Sequence, residues 1–76
     1  EVIEGEVSSS SELIGPTIEE LKLDSGLRIG GIIRKDKFVM PTGETLIKEG
    51  DNIVIFAKPH CIHMVEQFFR ISPDYY

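Results

Sequence analysis

Disulfide bonds within the chain are excluded, because its 76 residues include a single cysteine, Cys61. A lone cysteine indicates a reducing, cytosolic compartment. Positive charge is also scarce: 8 lysines and arginines stand against 13 acidic residues, which gives a net charge of −5. An acidic chain repels phosphate backbones, so this balance argues against a nucleic-acid partner. No apolar run approaches the roughly 20 residues that a membrane span requires.

Motifs that carry catalysis are also missing. The sequence has no G-x-S-x-G elbow, no P-loop and no G-x-G-x-x-G. Gly30 and Gly31 adjoin each other in a predicted strand and do not open a helix. Cys61 would need a neighbouring base, and His63, two positions along a predicted helix, faces elsewhere. The sequence therefore predicts a domain that is not an enzyme.

Three potential metal ligands, His60, Cys61 and His63, lie close together in the sequence. They do not form a complete zinc set, because no carboxylate or second cysteine stands at ligand spacing. We therefore expect no metal site. A chain this short buries only about 60% of the surface of its unfolded form. With neither disulfide nor metal, association into a homodimer is the remaining means of stabilisation, and Ile29, Ile32 and Met40 are candidate interface residues.

The apolar pattern predicts an α+β fold with the order β-α-β-β-β-α, in which a small, curled, mixed or antiparallel sheet is covered by helices. Residues 1–4 contain no basic leader region, so we expect that the sequence begins inside a longer protein. The predicted strands are 2–7, 27–34, 38–40 and 53–57, and the predicted helices are 18–22 and a segment from Pro59 that stops at Ser72 and Pro73.

A different sequence feature identifies each of the two predicted helices. Thr17 and Glu20 have the spacing of a capping box, which marks the start of the first helix. Ile62, Val65 and Phe69 form an apolar stripe on the second, with Phe68 beside them. We expect this stripe to face the core. The apolar strand 53–57 is expected to be central and buried on both sides.

The only basic cluster is Arg34, Lys35 and Lys37, at the predicted turn between the second and third strands. A guanidinium group fits a phosphate well, and two lysines add charge, so these three residues are the candidate ligand-binding residues. The alternative is that Arg34 is simply a solvated or salt-bridged strand end. Gly50 and Asp51 are interpreted as a structural turn, because glycine tolerates positive φ and aspartate accepts hydrogen bonds from following amides.

Three segments of the chain resemble the TrkA C-terminal domain, also called the RCK C-terminal domain. They are residues 13–21, a glycine followed by a helix that ends in leucine; residues 29–41, a strand, a turn and a short strand closed by Pro41; and residues 46–69, with the Gly50-Asp51 turn, an apolar strand and a closing helix. Their order and spacing make the match specific. It extends over nearly the whole chain.

The resemblance implies a dimeric regulatory domain, residues 1–72, followed by a tail, residues 73–76. In this family the domain follows a Rossmann-type nucleotide-binding domain, and the subunits are cytosolic and dock on potassium channels or transporters. It thus implies ligand sensing that gates potassium transport, at the inner face of the membrane. Part of the family binds cyclic di-AMP between two such domains, so a nucleotide or cyclic dinucleotide is the expected ligand, with no cofactor. Two alternatives stay open: a purely structural assembly domain, and a regulatory domain of another ion carrier.

Overall fold

The structure, a computed structural model, describes residues 1–69. The predicted tail, 73–76, and the predicted helix stop at Ser72 lie outside the described residues. The α+β class is confirmed: a four-stranded antiparallel sheet is accompanied by short helices. Within residues 1–69 no helix is long and apolar enough to span a membrane. The elements are β1 (Val2–Glu6), α1 (Ile18–Leu21), β2 (Leu27–Arg34), β3 (Lys37–Val39), β4 (Asn52–Ala57), a 3₁₀ turn (Pro59–Cys61) and α2 (Ile62–Glu66).

The strands are arranged in the order β1-β4-β2-β3, and every neighbouring pair is antiparallel. β4 is therefore an inner strand, as predicted. Its expected burial on both sides is wrong. Ile53, Ile55 and Ala57 are buried, but Phe56, which points to the other side, remains 47% exposed. One side of the sheet therefore carries the core, and the other, called here the outer face, remains partly open.

The core lies between the inner face of the sheet and the segments that cover it. Leu13 and Ile47, from two loops, are almost fully buried, and a parallel bridge between Ile14 and Ile47 joins these loops. The buried apolar residues are Val7, Leu13, Leu27, Ile29, Ile32, Ile47, Ile53, Ile55, Ala57, Cys61, Val65 and Phe68. The expected interface residues Ile29 and Ile32 belong to this core. Their assignment to an interface was wrong, because both point to the inner face.

The predicted capping box at the start of α1 is confirmed. The Thr17 hydroxyl accepts from the Glu20 backbone N–H at 3.2 Å, and the Glu20 carboxylate accepts from the Thr17 backbone N–H at 2.8 Å. Two amides that have no partner within the helix are thereby satisfied. A bridge between Thr17 and Leu46 fixes this short helix to the loop before β4.

The second helix is shorter than its apolar stripe suggested, since α2 ends at Glu66. Val65 is fully buried as predicted, but the buried aromatic residue is Phe68 rather than Phe69. Phe69 forms a bridge with Val7, and its ring lies over Gly5, within 2.5 Å of where a Cβ on that glycine would stand. Beyond the end of α2 the side chains no longer repeat every 3.6 residues, so Phe69 does not lie on the same face as Ile62 and Val65.

Candidate functional site

Two phenylalanine rings, Phe38 and Phe56, lie on the outer face of the sheet. A β-bulge between Ile29 and Gly31 interrupts the pairing of β2 with β4. A Cβ on Gly30 would overlap the Phe56 ring, and one on Gly31 would lie 2.7 Å from the Phe38 ring. Each ring therefore covers a glycine that has no side chain of its own. Only glycine permits such a close approach of ring to backbone.

These rings remain accessible although they pack on the sheet. Phe38 is 61% exposed, and Val2, which pairs with Phe56, is 65% exposed. Met40 directly follows β3 and is 68% exposed. Of the residues that sequence reasoning placed at an interface, Met40 is the one left at the surface. Phe38, Phe56 and Val2 were missed, because the pattern alone did not show that β4 has an open side.

The basic hairpin turns tightly between β2 and β3. Lys35 and Asp36 both have positive φ, 50° and 65°, as the two central residues of a type I′ turn do. Arg34 pairs with Lys37, so Lys37 begins β3 and does not belong to the turn. Both lysines are exposed. The hairpin therefore presents two ammonium groups to solvent.

Arg34 is held by Asp51, 17 positions along the chain. The Arg34 Nε atom donates to Asp51 Oδ1 at 2.9 Å, and Nη2 donates to Asp51 Oδ2 at 2.7 Å and to the Leu46 carbonyl oxygen at 2.9 Å. Arg34 therefore forms a salt bridge at the end of β2, and its role as a ligand-binding residue stays a prediction. A second bidentate contact, to a phosphate, would need these nitrogens, so any ligand contact is left to the remaining edge of the guanidinium.

Asp51 anchors the turn that the sequence predicted at Gly50 and Asp51. Gly50 has φ of 88°, and Asp51 is 2% exposed. Its carboxylate also accepts from the Lys48 backbone N–H at 2.9 Å. Burial raises the pKa of Asp51, but the hydrogen bonds from Arg34 and Lys48 outweigh it and hold that pKa below its ordinary value. Asp51 is therefore a charged anchor that joins the turn to the end of β2.

A third cluster brings together residues that are far apart in the sequence. The ligand atoms of Asp24, His60 and Cys61 all lie within 4.8 Å of one another. The Cys61 thiol donates to Asp24 Oδ1 at 3.4 Å, and the Gly26 backbone N–H donates to the same oxygen at 2.8 Å. No carboxylate stands at ligand spacing beside His60 and Cys61 in the sequence, but the fold brings Asp24 to them, 37 positions before Cys61. His63 is not part of the cluster.

Hydrogen bonding shifts the pKa values of the two acids in this cluster in opposite directions. The Gly26 amide, and after it the Cys61 thiol, lower the pKa of Asp24. Burial, and after it the hydrogen bond to Asp24, raise the pKa of Cys61. Asp24 and His60 are exposed, while Cys61 is fully buried. The cluster therefore lies at the edge of the core, with two of its three donors facing solvent.

Comparison with known proteins gives one consistent family. The model of the TrkA-C domain matches residues 2–70. The Trk system potassium uptake protein TrkA of Azorhizobium caulinodans is 36% identical over the whole chain, which covers 17% of that protein. A TrkA homologue of Methanosarcina mazei is 31% identical over 92% of the chain, which covers 16% of that protein. The chain thus spans about one sixth of the length of these relatives.

Solved structures share the fold. The RCK_C domain dimer of S. agalactiae BusR in complex with c-di-AMP has a TM-score of 0.74 and 28% identity, covering 90% of this chain and 88% of that one. BusR bound to its busAB-promotor DNA gives the same score and identity, with 35% of that chain covered. A structure of an RCK domain with cda shares the fold at a TM-score of 0.68 and 18% identity, covering 91% of this chain and 97% of that one.

Proposed function

The chain belongs to the TrkA-C domain family, and from this premise we propose that it is a regulatory domain that senses a ligand, dimerises and helps gate potassium transport. The family match over residues 2–70 carries the proposal, together with relatives named as potassium uptake proteins. Since the chain covers about one sixth of those relatives, the rest of the assembly is also proposed. We propose that a Rossmann-type nucleotide-binding domain lies upstream, that the protein is cytosolic, and that its partner is a membrane-bound potassium channel or transporter.

We assign dimerisation to the outer face. Val2, Phe38 and Phe56 form exposed apolar surface on the side of the sheet opposite the core. Aromatic residues are enriched at the centres of protein interfaces, because they bury much area with little loss of side-chain entropy. The related BusR domain forms a dimer. A second copy of this chain therefore fits this surface best.

Replacing Phe56 with aspartate is expected to weaken self-association by about 30-fold or more, as loss of a central aromatic contact costs about 2 kcal/mol or more. Sedimentation equilibrium across a concentration series measures the change. Ser9→Asp is the matched control, since it adds the same charge at an exposed loop position. A wild-type chain that stays at 8.5 kDa at every concentration would remove dimerisation from the proposal.

We further propose a phosphate-bearing ligand, of the cyclic dinucleotide class, at the basic hairpin. Lys35 and Lys37 are exposed there, and Arg34 adds the part of its guanidinium that Asp51 and Leu46 do not engage. In a two-fold dimer each hairpin occurs twice, which suits a ligand with two equivalent phosphates. The BusR domain in complex with c-di-AMP supports this choice. No cofactor and no catalytic step are part of the proposal.

Calorimetry with cyclic di-AMP tests the ligand. The double substitution of Lys35 and Lys37 by glutamine is expected to weaken binding at least about tenfold, because each lost ammonium-phosphate contact removes a charge-assisted hydrogen bond worth about 1.5–3 kcal/mol. Lys22→Gln, which removes one exposed charge from the end of α1, is the control. Arg34→Lys is less informative, because it also disturbs the bond to Asp51.

An absence of heat with the wild-type dimer would favour the structural assembly domain, and membrane spans upstream would favour another ion carrier.

The BusR–DNA complexes bear on the expectation of no nucleic-acid partner. They involve a whole protein of which the matching domain is about a third, so they limit that expectation for whole proteins. For this domain we keep the expectation, because its net charge of −5 opposes contact with phosphate backbones.

A further inference from the structure

We propose that Asp24, His60 and Cys61 bind a divalent cation of the zinc class. The three side chains offer a carboxylate oxygen, an imidazole nitrogen and a sulfur, and these atoms lie within 4.8 Å of one another. Thiolate with imidazole selects borderline-soft cations such as Zn²⁺ over Mg²⁺ or Ca²⁺, which prefer oxygen ligands. The site is separate from the basic hairpin and does not depend on the function proposed above.

The spacing of the donors agrees with this chemistry. Tetrahedral zinc with bonds of about 2.0–2.3 Å holds its ligand atoms roughly 3.5 Å apart. The Cys61 sulfur and Asp24 Oδ1 already stand 3.4 Å apart. The ligand nitrogen of the exposed His60 lies within 4.8 Å of both atoms, and its approach to about 3.5 Å would complete a set of three, with a fourth position open to water. Binding replaces the thiol proton with the metal: the S–H bond breaks, the S–Zn bond forms, and the proton passes to solvent.

The backbone around the cluster is arranged to bring the donors together. A Cβ on Gly26 would lie 2.6 Å from the Cys61 sulfur, 3.3 Å from Asp24 Oδ1 and 3.4 Å from the His60 Cε1 atom. Any larger residue at position 26 would press on all three side chains. Gly26 also donates to Asp24, and its carbonyl oxygen accepts from the Lys58 backbone N–H at 2.9 Å. Two loops distant in sequence are thus fixed on either side of the donors.

Occupation of this site would cross-link the turn before β2 to the 3₁₀ turn before α2. Metal binding to the native state stabilises it by mass action. In a small domain without a disulfide, such a cross-link acts where the sheet meets the closing helix. The stability of the domain would therefore depend on metal concentration, although the fold itself does not require the metal.

Titration of the chain with Co²⁺ as a spectroscopic probe, followed by competition with Zn²⁺, tests the proposal. We expect one saturable site per chain, with the near-ultraviolet charge-transfer band of a thiolate–cobalt bond, and loss of that band when Zn²⁺ is added. Cys61→Ser should abolish the band. His60→Gln, at an exposed position, should weaken Zn²⁺ binding by more than about tenfold, since even loss of an outer-shell partner costs about 10–100-fold.

Two further variants make the result decisive. Gly26→Ala keeps all three donors but crowds them, and should weaken binding as strongly as loss of a ligand. His63→Gln removes an exposed imidazole outside the cluster and should leave binding unchanged. Circular dichroism establishes that each variant is folded, and His60→Gln alone suffices if the others are not. A folded wild type without the thiolate band, or His60→Gln and His63→Gln variants with equal affinity, would overturn the proposal.

Discussion

Replacing Phe68 with alanine is expected to destabilise the domain by about 3–5 kcal/mol, the usual range for truncating a buried aromatic residue. Phe68 is 7% exposed and belongs to the core cluster with Val65 and Cys61. A domain of this length has only about 0.05–0.15 kcal/mol of stability per residue. The loss therefore removes much of the free energy of unfolding. Urea titration of both proteins measures it.

The neighbouring Phe69 provides the matched control. It is half-buried, and its ring covers Gly5 without entering the centre of the core. Phe69→Ala should therefore cost less, about 1–2 kcal/mol, because only part of its apolar surface leaves water on folding. A larger loss at Phe69 than at Phe68 would mean that the apolar stripe of the second helix continues further than the structure shows.

Replacing Asp51 with alanine is expected to cost about 3 kcal/mol. Removing one partner of a buried ion pair usually costs about 3–5 kcal/mol, because the other charge is left without compensation. The lower end applies here, since the Arg34 side chain is 26% exposed and water partly replaces its lost partner. Chemical denaturation at neutral pH measures the effect. Glu49→Gln, an exposed acid in the same turn, should change stability by less than about 0.5 kcal/mol.

The pH dependence of stability provides a second test of the ion pair between Arg34 and Asp51. Its pKa is lowered in the folded state, so the unfolded state takes up a proton first as the pH falls. Its contribution is therefore complete above the unfolded carboxyl pKa of about 3.9 and is lost as the pH drops through the lower folded value. The stability difference between wild type and Asp51→Asn should shrink below about pH 4. A difference that stays constant down to pH 2 would contradict this role.

Local signals in the sequence were enough to place several elements. The bounds of β2 and the capping box at Thr17 follow from neighbours within a few positions, and the structure agrees with both. The inner position of β4 followed from its apolar content. The resemblance to the TrkA C-terminal domain, carried by three spaced segments, is confirmed over residues 2–70.

What the sequence could not provide depends on contacts between distant residues. Arg34 meets Asp51 across 17 positions, and Asp24 meets Cys61 across 37. Periodicity shows which side of a strand a residue occupies, but not whether anything covers that side. Phe56 was therefore expected to be buried, but it lies on the outer face of the sheet.

The position of β4 between β1 and β2 has a consequence for the order in which the domain can form. Among the strands of residues 1–69, β1 leaves the ribosome first and β4 last, and β4 is the strand that pairs with β1. A nascent chain that ends before residue 52 carries an unpaired first strand and an uncovered hairpin, both exposed to chaperones and proteases. Because such long-range pairing must await its last strand, we expect the domain to acquire protection in a single step, once β4 has left the exit tunnel.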